Sequence, residues 1–354
     1  MFVLWKCYFC AIRYCIVIMA NRNTNLHIAK KIRYDEFYTT YETIENEVFH
    51  YKEQLKGKVV LCNCDDPYKS NFCLFFLKNF NILGLKRLIC TSYNPSDQSD
   101  LFANTEYGTT KGCILDVSEI KNGDLEISDE FIDNYLHTLG VVRQLVGNGD
   151  FRSQECIEYL KICDVVVTNP PFSLFNEFVM KIMRYEKKFL IIGNQNALTY
   201  KEIFPLIQTG EVWTGYQFGE MKFRVPPDSE PRSTRYWVDE TGQKWRSLGN
   251  AMWLTNLDNE RRHQTLRLIQ CFNPAIHVKY DNYDAIHIRS ITEIPFDYEG
   301  IMGVPITIIN RYNTEQFEIV GEANHGSDSE YDIFKPTING KEKFKRILIR
   351  NKTI

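Results

Sequence analysis

Asp164-Val165-Val166-Val167-Thr168-Asn169-Pro170-Pro171-Phe172 is the stretch on which the fold turns. A run of β-branched residues too short for a helix reads as a strand buried on both faces, as in the interior of a parallel sheet. The strand delivers a polar residue, Asn169, to its carboxyl end. Pro170 and Pro171 then hold the backbone extended while offering no N–H groups of their own. A stiff loop follows the strand, and its first side chain is a carboxamide.

Similar units repeat on either side. Strands are expected at Lys58–Cys62, Arg87–Cys90, Gly112–Leu115 and Phe189–Ile192, with helices at Asn71–Phe80, 130–146, 153–161 and 174–185. Alternation of this kind from Asn21 to about Asn196 predicts an α/β fold with an open, mostly parallel, Rossmann-like sheet. Its ligands would bind outside the carboxyl ends of the strands. Residues 211–255 change character, with aromatic, proline and basic residues in short strand-like pieces, broken by a loop at Val225–Pro231. The segment 256–354 is rich in Asn, Asp and Tyr, with turns every few residues. Its last 20 residues carry seven basic side chains against one acid, a basic tail readable as a phosphate-binding arm or as disorder.

The chain has 354 residues, enough for one large or two modest domains, and 44% are hydrophobic and 25% charged, which excludes a disordered or fibrous protein. A net charge of −3 is no global signal for nucleic acid, so any such contact must come from local patches. Lys222, Arg224, Arg232, Arg235, Lys244 and Arg246, interleaved with Phe223, Tyr236, Trp237 and Trp245, are the candidate DNA-binding set; a solvated charged face is the plainer alternative. The 11 cysteines lack zinc spacing and mostly sit in apolar stretches, a pattern suited to a reducing cytoplasm. His263, His277, His287 and His325 are too scattered for a metal site, so no metal is expected. Lys6 and Arg13 interrupt the apolar first 18 residues, which are read as an extension before Met19 rather than a membrane anchor.

The loop has a definite chemistry. An exocyclic aromatic amine carries two N–H donors and a poorly nucleophilic lone pair. The Asn169 side-chain oxygen and the Pro170 carbonyl can each accept one hydrogen, drawing the nitrogen toward tetrahedral character. Phe172 can stack on an extruded base. Transfer of a sulfonium methyl group then needs in-line positioning, with neither a metal nor a covalent nucleophile. Asn-Pro-Pro-Phe after an apolar strand is the amino-methyltransferase signature, and its catalytic candidates are Asn169, Pro170, Pro171 and Phe172.

Beyond that loop the chain resembles the EcoRI-type adenine-specific DNA methyltransferases. The resemblance runs through Asp35–Thr39, Gly57–Pro67, Asn169–Phe175, Ile192–Ala197, Tyr280–Ile286, Gly303–Thr307 and Gln316–Gly321. It implies an S-adenosylmethionine-dependent sheet (residues 19–210), with 211–354 completing the sheet and supplying a C-terminal target-recognition region. It also implies double-stranded DNA as substrate, adenine N6 as acceptor and a restriction-modification or phage-protection setting with a cognate endonuclease as partner. Asn63-Cys64-Asp65-Asp66-Pro67 stands where a Gly-rich cofactor loop is usual, so the resemblance makes Asp65 and Asp66 cofactor candidates; an Asx turn capping the next helix is the alternative. Asp35, Phe37, Tyr38 and Thr39 resemble the N-terminal cofactor motif, or else a plain helix start. Asp150 sits where related enzymes set an acid against the cofactor's adenine, or in a simple turn, and Asp116 is a weak substitute for the ribose partner. Two rivals stay open: an RNA-adenine or protein-glutamine methyltransferase of the same fold, and a catalytically inactive DNA-binding protein.

Overall fold

The structure, a computed structural model, describes residues 38–94, 111–121, 127–138, 141–225, 227, 229–231, 233–324 and 330–352. Asp35, Phe37, Arg232, His325 and the first 18 residues lie outside them.

In chain order the elements begin with β1 (Tyr38–Thr39), α1 (Tyr41–Val48), α2 (Lys52–Leu55), β2 (Val59–Cys62), α3 (Asn71–Lys78), α4 (Phe80–Leu83) and β3 (Arg87–Thr91). Next come β4 (Cys113–Val117), α5 (Asp129–Thr138), β5 (Val142–Gln144), α6 (Gln154–Ile162), β6 (Val165–Thr168), α7 (Phe175–Arg184) and β7 (Lys188–Asn194). After α8 (Phe204–Gln208) come the long strands β8 (Trp213–Arg224) and β10 (Lys244–Thr255), with the short β9 (Tyr236–Val238) between them. A second set follows: β11 (Ala285–His287), β12 (Ile301–Val304), β13 (Phe317–Ala323), β14 (Asp332–Phe334), β15 (Thr337–Ile338), β16 (Lys341–Glu342) and β17 (Arg346–Asn351).

β1 to β10 form one sheet in the order β1-β8-β10-β7-β6-β2-β3-β4-β5, with β9 on β10. Side chains alternate across it, as the two-residue period of a strand requires. Val59 and Leu61 join one buried cluster, with α7 and α8, whereas Val60 and Cys62 join the other, with α1, α3 and α5. Both faces are thus covered, which is why β2 and β6 are apolar throughout.

The sheet is mixed, which corrects the expectation of a mostly parallel one. Only β3, β2, β6 and β7 run parallel to one another. They include the pairs joined by helical crossovers, β2 to β3 through α3 and α4, and β6 to β7 through α7. Antiparallel pairs extend both edges: β3–β4–β5 on one side, β7–β10–β8–β1 on the other.

Three further expectations are corrected. The helix expected over 130–146 stops within α5, and Val142–Gln144 pairs with β4 as an edge strand. The short pieces expected in 211–255 include two strands of 12 residues each, whose pairing shifts register between Leu248 and Ala251 and between Met252 and Leu254. Up to Lys352 the basic end is not disordered and not a free arm: β17 is the central strand of a five-stranded sheet, ordered β11-β12-β17-β13-β14. Ile347 and Ile349 of β17 share a buried cluster with Phe175, Phe204 and Met252, so the second sheet packs on the α7–α8 side of the first. Among the described residues no helix is long and apolar enough to cross a membrane.

Candidate active site at the carboxyl edge of the parallel strands

After β2 the backbone turns at Asn63–Pro67 and is tied to the end of β3 by the Asp65 N–H on the Thr91 carbonyl, 3.0 Å. Ser70 caps α3, its hydroxyl accepting from the Phe72 N–H at 3.0 Å while donating to Asp65 Oδ1 at 2.6 Å. Thr168, the last residue of β6, donates its hydroxyl to Asp65 Oδ2 at 2.5 Å. The buried Asp65 carboxyl therefore bridges the β2 turn and the strand that carries Asn169. Burial pushes its pKa up to about 6, against the two hydroxyl donors that favour the anion. Asp66 closes an Asx turn on the Tyr68 N–H at 2.9 Å, so the cap itself belongs to Ser70 and the Asx turn to Asp66.

Asn169 donates its Nδ2 to the Thr39 hydroxyl at 3.2 Å, and Asn71 donates to the Thr39 carbonyl at 2.7 Å. Three segments far apart in sequence thus meet at Thr39, which β8 holds in place opposite Phe223. Pro170 is buried and Pro171 half-buried. Phe172 opens a 3-10 turn, Phe172–Leu174, and packs half-buried against the cluster on the α1–α3 face. Phe175 then lies against Gly193 of β7, where any side chain would collide with its ring.

The third wall comes from Gly149-Asp150-Phe151. Gly149 has φ +81°, and a Cβ there would strike the Ser92 carbonyl, so glycine lets this loop close onto the end of β3. Asp150 takes a two-pronged hydrogen bond from Arg152, at 2.9 and 2.7 Å. Burial disfavours its anion, but Arg152 and the charge of Lys181 outweigh it and hold the carboxyl below its usual range. Asp116 is elsewhere, paired with Arg87 at 2.7 Å and Arg143 at 3.2 Å, which removes it as a ribose partner.

These walls enclose a cavity of about 380 Å³. Tyr38, Thr39, Asp65, Asp66, Asp150, Asn169 and Pro171 all line it; Pro170 and Phe172 do not. Asn63, Ser70, Phe72 and Tyr93 also line it and were not singled out from the sequence. Ser70 carried a readable signal, a serine just before an apolar helical run. Tyr93 carried none.

The basic candidates are divided. Lys222 and Arg224 are exposed on β8, and Arg224 lies over the Trp245 ring, itself stacked on Trp237. Arg246 stands directly opposite Phe223 and Tyr236 in the ladder and so shares the other face. Lys244 donates to the Pro227 carbonyl and, at 3.0 Å, to that of Ser229, anchoring a loop. Arg235 has φ 55° and lays its guanidinium over Gly249. The set is not one continuous patch.

Residues 25–352 match the family described as adenine-specific methyltransferase EcoRI. The chain is similar to the type II methyltransferase M.EcoRI of Escherichia coli, 44% identical over 342 residues, covering 95% of this chain and 99% of the relative. It is also similar to the type II methyltransferase M.MgeORF184P of Mycoplasma genitalium, at 34% identity over 92% of this chain and 98% of the relative. M.MpnI, a type II methyltransferase of Mycoplasma pneumoniae, is 37% identical over 82% of this chain and 83% of its own.

Proposed function

The chain belongs to the EcoRI family of adenine-specific methyltransferases and methylates adenine in DNA, and on that premise we propose that S-adenosylmethionine is its methyl donor and that Asn169 to Phe172 hold the flipped-out target base. The fold reading behind this is a Rossmann-like methyltransferase sheet in residues 19–210, completed by β8 and β10, with the second sheet of 211–354 as the target-recognition region. The chain leaves β2 for β3 on one side and later returns to β6 on the other. Such a switch point is where open α/β sheets bind ligands, and the cavity lies there.

The lining fits the proposed donor. Asp66 and Asp150 offer carboxylates to an ammonium and to amino or hydroxyl groups, while Phe72, Tyr38 and Tyr93 offer rings to an adenine. Asn63 Oδ1 is buried with no partner among the described residues, an acceptor suited to a bound donor. When bound, S-adenosylmethionine supplies a sulfonium methyl group. Asn169 and the Pro170 carbonyl accept the two N–H groups of the adenine N6 and orient its lone pair, with Phe172 supporting the base. Thr39 turns the Asn169 amide by taking its Nδ2, which directs Oδ1 to the acceptor role.

The observation that carries this reading is that Asn169 and Pro171 line the same cavity as Asp66 and Asp150. The setting is a restriction-modification system in a reducing cytoplasm, with a cognate endonuclease as partner. Modification-sensitive sequencing of DNA from a methylation-free host expressing the protein tests it. Uniform adenine modification within one short motif, lost in Asn169→Ala with an unchanged melting temperature, is expected. An Asn169→Ala protein that still modified DNA would sink the assigned role.

A further inference from the structure

The segment Lys335–Arg346 carries five basic side chains against one acid, and its order comes from named contacts. β15 and β16 form a hairpin whose tight turn is Asn339-Gly340, at φ 51° and 71°. The Asp281 carboxylate accepts from both turn amides, at 3.0 and 2.8 Å. Ile338 anchors the inner side of the hairpin in a cluster with Tyr280 and Ala285. The chain leaving the hairpin is pinned as well: Lys345 donates to the Thr199 hydroxyl at 2.7 Å. Thr199 ends the 3-10 turn that directly follows β7, at the same sheet edge as Asn169.

Between these anchors stands Phe344, 84% exposed. One exposed apolar side chain is ordinary on a protein surface. Its setting is not, because it projects from a braced hairpin beside cations that have no acidic partner. Lys335 is paired with Glu342, and Arg346 is turned back onto the carbonyls of Phe344 and Lys345. Lys341 and Lys343 have no carboxylate partner among the described residues. An exposed aromatic ring preceded by two lysines without a carboxylate partner matches a phosphate backbone with stackable bases, and a two-stranded ribbon fits a major groove.

We infer that the hairpin Thr337–Glu342, with Lys341, Lys343 and Phe344, is a docking surface for the duplex beside the target adenine. This rests on the reading of the chain as a DNA methyltransferase. The full-length protein is titrated with a fluorescent adenine-containing duplex, at several salt concentrations. Phe344→Ala should weaken binding about tenfold and Phe344→Trp should restore it. The double variant K341A/K343A should lower the slope of log affinity against log salt by about 1.8, the effect of two lost phosphate contacts. Wild-type melting temperatures in all three variants establish that they are folded. Unchanged affinity and salt slope in folded variants would overturn the surface, including the outcome in which the hairpin serves an acidic protein instead. Wild-type transfer to the same duplex, run in parallel, separates the cases: transfer with unaltered variant binding removes the surface alone, and absent transfer removes the underlying reading together with it.

Discussion

Asn169 illustrates how one amide is aimed. Its Nδ2 is tethered to the Thr39 hydroxyl, and under the proposed mechanism, in which its oxygen accepts from the reacting amine, that tether makes Thr39 a positioning residue. Replacing Thr39 by Val keeps the shape and removes the acceptor, a loss worth about 1 kcal/mol for a neutral hydrogen bond. The single-turnover rate of Thr39→Val should fall five- to tenfold and Thr39→Ser should recover it; a Val variant at the wild-type rate would exclude the tether from the mechanism. Gly149 is the second such point, since its φ of +81° and the adjacent Ser92 carbonyl leave no room for Cβ. Gly149→Ala should cost more than about 1 kcal/mol and weaken S-adenosylmethionine binding, because the loop carrying Asp150 must move off β3. Isothermal titration of that variant would reveal a misassigned wall if its affinity matched the wild type.

At the scale of elements, α1 is locked to β8 through Glu47. Its carboxylate accepts from the backbone N–H groups of Tyr216 and Gln217, both at 2.7 Å, and from the Tyr51 hydroxyl at 3.1 Å. Burial nonetheless outweighs those bonds and raises its pKa from the usual 4.5 to about 7. With the folded value above the unfolded one, the folded chain holds the extra proton between them. That stabilisation is complete below about pH 4.5 and is lost as pH rises through about 7, at most about 3 kcal/mol. Asp65, raised to about 6, adds a loss of the same sign over a lower range. Urea midpoints should therefore fall between pH 5 and 8, and Glu47→Gln should flatten that slope; an unaltered slope would place the titration elsewhere. The sequence disclosed elements unevenly, for physical reasons. β6 was legible because three adjacent β-branched residues admit little else. β5 was not, because three residues carry no period and the amphipathic pattern of α5 runs up to them. In β8 and β10, Gly215, Gly219 and Gly249 interrupt the alternation, so continuous strands read as fragments. β17 was hidden because Lys345, Arg346 and Arg350 flank only three buried residues, Ile347, Leu348 and Ile349. In the site, the Asn-Pro-Pro-Phe loop and the acidic turn stood out by their residue types, whereas Thr168 and Tyr93 gain their roles only through tertiary contact.

The whole molecule presents one mechanical question: whether the two sheets unfold together. A single buried cluster runs from Leu61, Val166 and Ile191 of the large sheet to Ile286, Met302 and Ile349 of the small one. Among the described residues that cluster is continuous across the two sheets, so loss of packing in one sheet should be felt in the other. The four tryptophans of the described residues, Trp213, Trp237, Trp245 and Trp253, all lie in β8 to β10, and their fluorescence reports on the large sheet alone. Ile349 is fully buried in β17, and truncating it to Ala should cost about 2–5 kcal/mol. If the sheets form one cooperative unit, Ile349→Ala lowers the urea midpoint seen by tryptophan fluorescence as much as that seen by far-ultraviolet circular dichroism. If the second sheet unfolds on its own, the fluorescence midpoint stays at the wild-type value and the dichroism curve splits in two. Coincident curves would mean that the sheet bearing the hairpin is held rigidly against the sheet edge that carries Asn169.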